Sequence, residues 1–448
     1  MEDLSLVKAT IAMEPQPAGE KTEEEISFSL APVNAGEIAA DYSILGAAEH
    51  KGITVELLNV KRDKEDDLEL LLHVTNGTDQ EIELNPYYAV AVNGIQSHAS
   101  RSYKVLPGCD IIADIRVDDR VCESKINYMD QDLANSIFRH IILSPQLQKR
   151  HGHQSVETVS LVYRRTSEGL WSDLEMVTLR LATQPEMPDF SLEERPPYWY
   201  DVASHGIPSG VRLLPLLDWP QARIGVERVL AGVNGLAAAV EIENHTDRFL
   251  NLYIKVTAAD GECVGFHEDS YYIMPGCTLC DTLSVELDRE NVSSVTLKID
   301  GLAVEKPPEV EISFSSPISL GEGGSTVLEA DQLTAKMPAA PERIENTLMQ
   351  TGVRYHTEQV HYDAWKSERW ADCSDQEYTV VLWPDGAAEV KSNGTDYGAY
   401  AWAVKEDGSI RLFSVDYFIV EYRLYIEEGW LILYEDVFGT LYRMKPDG

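Results

Sequence analysis

Basic residues are scarce in this chain. Lys and Arg number 37 against 75 Asp and Glu, a formal net charge of −38 over 448 residues. Nucleic-acid binding draws on clustered Lys and Arg that neutralise phosphates and release counterions, so a nucleic-acid partner is not expected. Basic proteins, cations and simple solubility are the roles such a charge leaves open. Long apolar runs are missing as well: no stretch of eighteen or more apolar residues occurs, so no membrane-spanning helix is expected. Cysteines number six (Cys109, Cys122, Cys263, Cys277, Cys280 and Cys373), too few for a disulfide framework to replace a core. Cys277-Thr-Leu-Cys280 has the CxxC spacing, but in a strand-like run its two thiols face opposite sides and no second pair completes a zinc site. Small buried residues at a strand start are the expectation there.

Signatures of chemistry are equally sparse. Gly321-Glu-Gly-Gly324 is not followed by Lys-Ser or Lys-Thr, and no Gly-x-Ser-x-Gly elbow occurs. The acidic turn Asp63 to Asp67 lacks the Gly and distal Glu of a calcium loop. His140, His151 and His153 miss the i, i+4 spacing that sets two ligands on one helical face, and Lys149 and Arg150 beside them oppose a cation. His356 and His361 lie five apart in a strand-like region and so face opposite sides. The expectation is a non-enzyme with no catalytic residue, no cofactor and no metal site.

What is present is repetition. Asn76 to Cys109 recurs as Asn244 to Cys277 at an offset of 168, each copy opening with Asn-x-Thr-Asp and closing with Ser-Tyr and then Pro-Gly-Cys. Between these marks, short apolar stretches alternate in period two; Leu68, Leu70, Leu72 and Val74 fall on one face. Asn76-Gly77, Asn93-Gly94 and Asp260-Gly261 supply turns where positive φ is cheap. Seven or so short strands at intervals of eight to twelve residues predict an antiparallel sandwich of immunoglobulin type in each copy. Glu25-Ile-Ser-Phe-Ser29 recurs letter for letter as Glu311-Ile-Ser-Phe-Ser315, and Leu4-Ser-Leu-Val7 echoes Val159-Ser-Leu-Val162. Residues 1–33 therefore read as a terminal hairpin left from a truncated repeat.

The domains predicted are a first repeat at 52–183, a proline-rich connector at 184–223, a second repeat at 224–317, a linker at 318–343 and a last domain at 344–448. The repeat offset falls from 168 at Pro-Gly-Cys to 136 at Val292, so the first repeat carries about 32 extra residues within 118–155. Met129, Leu133, Ile137 and Ile141 at i+4 steps, with Ala134, Phe138 and Ile142 alongside, predict an amphipathic helix over Asp130 to Leu143. It runs into Lys149, Arg150, His151 and His153, a basic cluster and a candidate interaction patch. In the last domain, strands alternate with Pro384-Asp-Gly386, Asn393-Gly394, Asp407-Gly408 and Glu427-Glu-Gly429, the pattern of an up-and-down meander that closes into a small barrel. Trp383, Tyr400, Trp402, Tyr422, Tyr425 and Trp430 are its candidate ligand pocket, although Tyr422 and Tyr425 alternate onto opposite faces.

The Asn-x-Thr-Asp turn, the strand into Asn93-Gly94 or Asp260-Gly261, and the Pro-Gly ahead of the next strand resemble immunoglobulin-like domains of unknown function in surface lipoproteins of clostridia-like bacteria. The run from Tyr378-Thr-Val-Val-Leu-Trp-Pro-Asp-Gly386 to Tyr442-Arg443 resembles the small lipocalin-like domains of the same kinds of protein. The resemblance implies a mainly β bacterial surface or exported protein; scaffolds of this kind bind through exposed edges and loops, so a protein partner or surface polymer is expected. The alternative is a small apolar or sugar ligand held by the C-terminal barrel. No lipobox cysteine or signal segment opens the chain, and MEDLSLVKAT lacks a basic n-region. A cell-surface or extracellular location follows if Met1 is not the true start, and a cytoplasmic one if it is.

Overall fold

The structure is a computed structural model that describes residues 6–13, 22–29, 42–62, 68–86, 89–99, 101–117, 156–167, 170–171, 174–182, 213–232, 235–264, 268–304, 306–320, 326–341, 346–362, 370–372, 378–392, 395–396, 400–414, 421–435 and 440–447. Among the described residues every element is a strand except one short 3-10 turn, Ala330–Gln332. The chain is mainly β, as expected from its alternation and turn chemistry. Two compact units form, one within 1–90, 99–118 and 154–189, the other within 91–98, 119–153 and 190–448.

In the first unit, Leu6–Met13 and Thr22–Ser29 pair antiparallel. A four-stranded antiparallel sheet runs in the order Asp110–Val117, Leu68–Asn76, Ile53–Arg62, Gly46–His50. Leu68, Leu70, Leu72 and Val74 are fully buried while the residues between them are half-buried, the period of two read directly as burial. A second group of strands joins Thr158–Ser167 to Glu175–Arg180 on one side and to Glu81–Leu84 on the other. The amphipathic helix expected over Asp130 to Leu143 and the patch Lys149, Arg150, His151 and His153 lie outside the described residues, as does most of the proline-rich connector.

The second unit contains the second repeat and the last domain. Leu214–Asp218, Ala222–Gly232, Gly235–Asn244 and Thr278–Glu286 form one sheet in chain order. Leu250–Ala259, Asn291–Asp300, Glu309–Ser319 and Leu333–Ala335 form the other, with Glu268–Ile273 on the first of these. One apolar core lies between the two sheets, from Leu217 and Ile224 through Val240, Ile254 and Leu297 to Phe314. Of residues 318–343, expected as a linker, the described ones, 318–320 and 326–341, are instead part of this body. Thr326–Glu329 pairs with Ala222–Gly232, Leu333–Ala335 pairs with Glu309–Ser319, and the Trp219 indole donates to the Pro338 carbonyl at 3.0 Å. Leu214–Asp218, at the end of the expected connector, is likewise a sheet strand. Proline at 215 is tolerated because this strand stands at the edge of the sheet order.

The repeated motif acts by side-chain bonding more than by bending. Asn76 and Asn244 are buried, and their backbone N–H groups donate to the carbonyls of Cys109 and Cys277, both at 2.9 Å. Asn244 Nδ2 donates to the carbonyls of Arg248 (2.7 Å), Ile273 (3.1 Å) and Met274 (3.1 Å), while its Oδ1 accepts from Thr246 N (2.9 Å) and Thr246 Oγ1 (2.8 Å). Asn76 does the same with Gln80 (2.8 Å), Val105 (3.0 Å), Thr78 N (3.1 Å) and Thr78 Oγ1 (2.7 Å). The repeated tyrosines match too: Tyr103 Oη donates to the Asp114 carbonyl at 2.6 Å, and Tyr271 Oη to that of Thr282 at 3.1 Å. Positive φ was expected at Asn76-Gly77, but neither residue adopts it; the amide side chain, not a left-handed backbone, is why Asn stands there. Asn93-Gly94 (φ 53° and 79°) and Asp260-Gly261 (φ 50° and 77°) do turn through the left-handed region.

The last domain is a closed eight-stranded barrel. Arg354–Tyr362, Tyr378–Leu382, Ala387–Ser392, Tyr400–Val404, Ile410–Ser414, Tyr422–Glu427, Trp430–Glu435 and Thr440–Pro446 pair in chain order, and the last strand closes on the first. Closure leaves no long unpaired edge among these strands. Glu428-Gly429, at φ 52° and 84°, makes the two-residue turn between the Tyr422–Glu427 and Trp430–Glu435 strands.

Candidate functional site

The six aromatics expected to line one pocket are distributed over three environments. Tyr400 and Tyr422 point into the barrel, where they lie 5.6 Å apart edge to face. Trp402 is half-buried against that core and donates its indole N–H to the Trp383 carbonyl at 2.9 Å. Trp383 sits under the Arg248 guanidinium, 4.9 Å from its ring centroid. Tyr425 and Trp430 are on the outer wall. A strand alternates its side chains between faces, so aromatics on both parities of one strand cannot share a cavity.

The barrel axis is occupied by side chains. Tyr378, Tyr400, Tyr422 and Tyr442 are buried there, with Tyr378 4.6 Å from Tyr442 and 6.2 Å from Tyr422. Leu382, Val390, Leu412, Leu424 and Leu433 pack around them. Tyr442 Oη donates to buried Glu435 at 3.3 Å. Burial, with the neighbouring Tyr378 hydroxyl and the Glu435 charge, pushes the phenols of Tyr422 and Tyr442 well up, and burial raises the Glu435 carboxyl against the lowering bond from Tyr442. The phenols are thus neutral hydrogen-bonding core groups at physiological pH.

On the outer wall the strand register assembles a different set. Arg423 is directly across from Tyr434, and Tyr434 from Leu441. With Tyr425, Ile426 and the Asp407-Gly408-Ser409 turn they line an open cleft of about 600 Å³, which Thr347 and Leu348 border. The polar groups in it are fixed in place. Ser409 donates to Asp407 Oδ1 from its backbone N–H (2.9 Å) and its hydroxyl (2.5 Å), Arg423 Nε donates to Ser409 Oγ (3.2 Å), and Arg423 Nη2 donates to Asp407 Oδ2. The two Ser409 bonds, and then the Arg423 charge, hold the Asp407 carboxyl below its usual range. The Arg423 guanidinium lies over the Tyr425 ring at 5.7 Å from its centroid. Burial and the Glu427 charge raise the Tyr425 phenol, so the ring stays neutral.

A second ordered feature on this wall is Arg443. Its guanidinium lies 4.1 Å from the Trp370 ring and 5.4 Å from Trp430, and donates to Gln359 at 3.0 Å and Glu428 at 3.3 Å. Stacked and hydrogen-bonded in this way it stiffens the wall next to Tyr425. The arrangement offers aromatic and aliphatic surface beside a preorganised ion pair.

Asp407, Arg423, Tyr434 and Leu441 were not singled out by sequence reasoning. The outward parity of Arg423 and Tyr425 was readable, but Tyr434 and Leu441 join them only through the pairing register. Within this unit the second repeat also grips the barrel. Arg248 pairs with Asp385 in the Trp383 to Gly386 turn, and Gln221 Nε2 donates to the Asp385 carbonyl at 2.7 Å. Gln80 holds the matching place in the first copy, so Arg248 is specific to the second. Cys277 is buried, which pushes its thiol up to about 11, and no group of three or more metal-ligating side chains gathers among the described residues. Among those residues no helix is long and apolar enough to cross a membrane. Compared with models of known protein families and with curated protein sequences, the chain matches none.

Proposed function

We propose that this chain is a non-enzymatic, multi-domain β protein that mediates interaction with a protein partner or a surface polymer, and that the outer wall of its C-terminal barrel is the binding face. The observation that carries the reading is the cleft of about 600 Å³ beside Tyr425 and Tyr434, which places aromatic surface next to a fixed Asp407–Arg423 pair. Scaffolds of this kind bind through loops and walls on a rigid frame. In this reading the tandem repeats are immunoglobulin-like spacers, supported by the matching partners of the Asn76 and Asn244 side chains, and the barrel is a lipocalin-like head, supported by its up-and-down order. Exposure on a bacterial surface belongs to the same proposal. A small apolar ligand inside the barrel is disfavoured, because four tyrosines occupy its axis.

The test is retention of the purified full chain on intact cells of the source organism and on their insoluble polymers. Replacing Tyr425 and Tyr434 together by alanine is expected to cut retention at least tenfold with an unchanged melting temperature. Equal retention by both forms would sink the assignment of the face.

A further inference from the structure

We infer that the occupant of the cleft is a neutral, hydroxyl-rich sugar chain, bound with one ring against the Tyr425–Tyr434 surface and a vicinal diol on the Asp407–Arg423 pair. This rests on the binding face proposed above and assigns its ligand class. A pyranose has an apolar C–H face and a rim of hydroxyls, each both donor and acceptor. The cleft supplies the complement of each part. Tyr425 and Tyr434 are half-buried and present ring surface, with Leu441 continuing the apolar strip. Asp407 and Arg423 are about half exposed, at 55% and 50%, so both reach a ligand. Arg423 uses Nε for Ser409 and Nη2 for Asp407, so neither of these bonds takes Nη1. A carboxylate that accepts from one hydroxyl beside a guanidinium that donates to the next is matched to adjacent hydroxyls, and Ser409 fixes both in advance.

Other ligand classes fit less well. An anionic polymer would need uncompensated positive charge, but Arg423 is already neutralised by Asp407 and the whole chain carries a net charge of −38. A purely apolar ligand would desolvate the ion pair with nothing returned to it. A volume of about 600 Å³ lies within the span of small-ligand sites and has room for more than one sugar ring.

The experiment is calorimetric titration of the full chain with maltohexaose, cellohexaose, mannohexaose and chitohexaose, with a galacturonate oligomer as the acidic counterpart. One or more of the neutral oligomers is expected to bind saturably. Asp407→Asn and Tyr434→Ala are each expected to weaken that binding at least tenfold with the melting temperature unchanged. The acidic oligomer is expected not to bind. Absence of binding by every neutral oligomer at millimolar concentration overturns the inference, as does binding that persists at full strength in both Asp407→Asn and Tyr434→Ala. If the Tyr425→Ala, Tyr434→Ala form loses retention on cells while no neutral oligomer binds or competes, only the sugar assignment falls. If that form is retained like wild type, the binding face falls too.

Discussion

Replacement of Asn244 by alanine removes a buried side chain that donates to three carbonyls and accepts from two groups of Thr246. A hydrogen bond of this kind contributes about 0.5 to 1.5 kcal/mol net, and a buried partner left unsatisfied costs about 1 to 3 kcal/mol. Bifurcation among the three donated bonds makes them worth fewer than three full ones. The expected loss is then about 4 kcal/mol, a large share of the stability of a single domain. Asp247, the residue after Thr246 in the same motif, is 84% exposed and 4.0 Å from Arg248, so Asp247→Ala is expected within about 0.5 kcal/mol of wild type. A chain of several bodies does not unfold in one step, so the measurement is local: native-state hydrogen exchange of amides in the Leu250–Ala259 strand. Protection there should fall strongly in Asn244→Ala, and in Asn76→Ala the fall should move to Leu68–Asn76. An Asn244→Ala chain with protection within about 1 kcal/mol of wild type would refute the view that the repeated Asn ties the strands together.

Three more outcomes are expected. His73 bridges Glu56 and Asp110 at 2.8 Å to each; burial pulls its pKa down, but the hydrogen bonds and charges of the two carboxylates outweigh it and raise the value. A raised folded pKa stabilises fully below the unfolded value near 6.5 and less as pH climbs through the folded one, so the stability deficit of His73→Gln should be larger at pH 5.5 than at pH 9 in urea titrations. Gly301 has φ 91°, and a Cβ there would lie 2.0 Å from the Asn251 carbonyl oxygen, so Gly301→Ala should destabilise by about 3 kcal/mol or more and lower the calorimetric melting temperature. Arg248 and Asp385 are mostly buried, and a double-mutant cycle with alanine at both should give a coupling of about 1 to 2 kcal/mol, measured as exchange protection of the Ala387–Ser392 strand.

Much of the fold could be read from alternation and turn residues. Leu68 to Val74 alternated in the letters and alternate in burial, and Asn93-Gly94 and Asp260-Gly261 turn where positive φ is cheap. The closed barrel followed from hairpins in succession. Legibility ended where a strand lacks local signal. Thr326–Glu329 and Leu333–Ala335 are short and flanked by glycine and proline, so they read as linker and are strands only because a sheet edge was there to pair with. Asn76 looked like a turn former because its side-chain partner Val105 is 29 residues away. The site was less legible still: Tyr425 and Trp430 were picked for being aromatic, whereas Asp407, Arg423 and Tyr434 matter through cross-strand register, which no local pattern states.

Hydrogen exchange of the full chain, free and bound to cells or to their insoluble polymer, directly locates the proposed binding face on the outer wall of the barrel. Protection gained at Asp407 to Ser409, Arg423 to Ile426 and Tyr434 to Glu435, with the strands of the two repeats unchanged, is the predicted result; protection confined to the repeats, with those barrel segments unaltered, would contradict it.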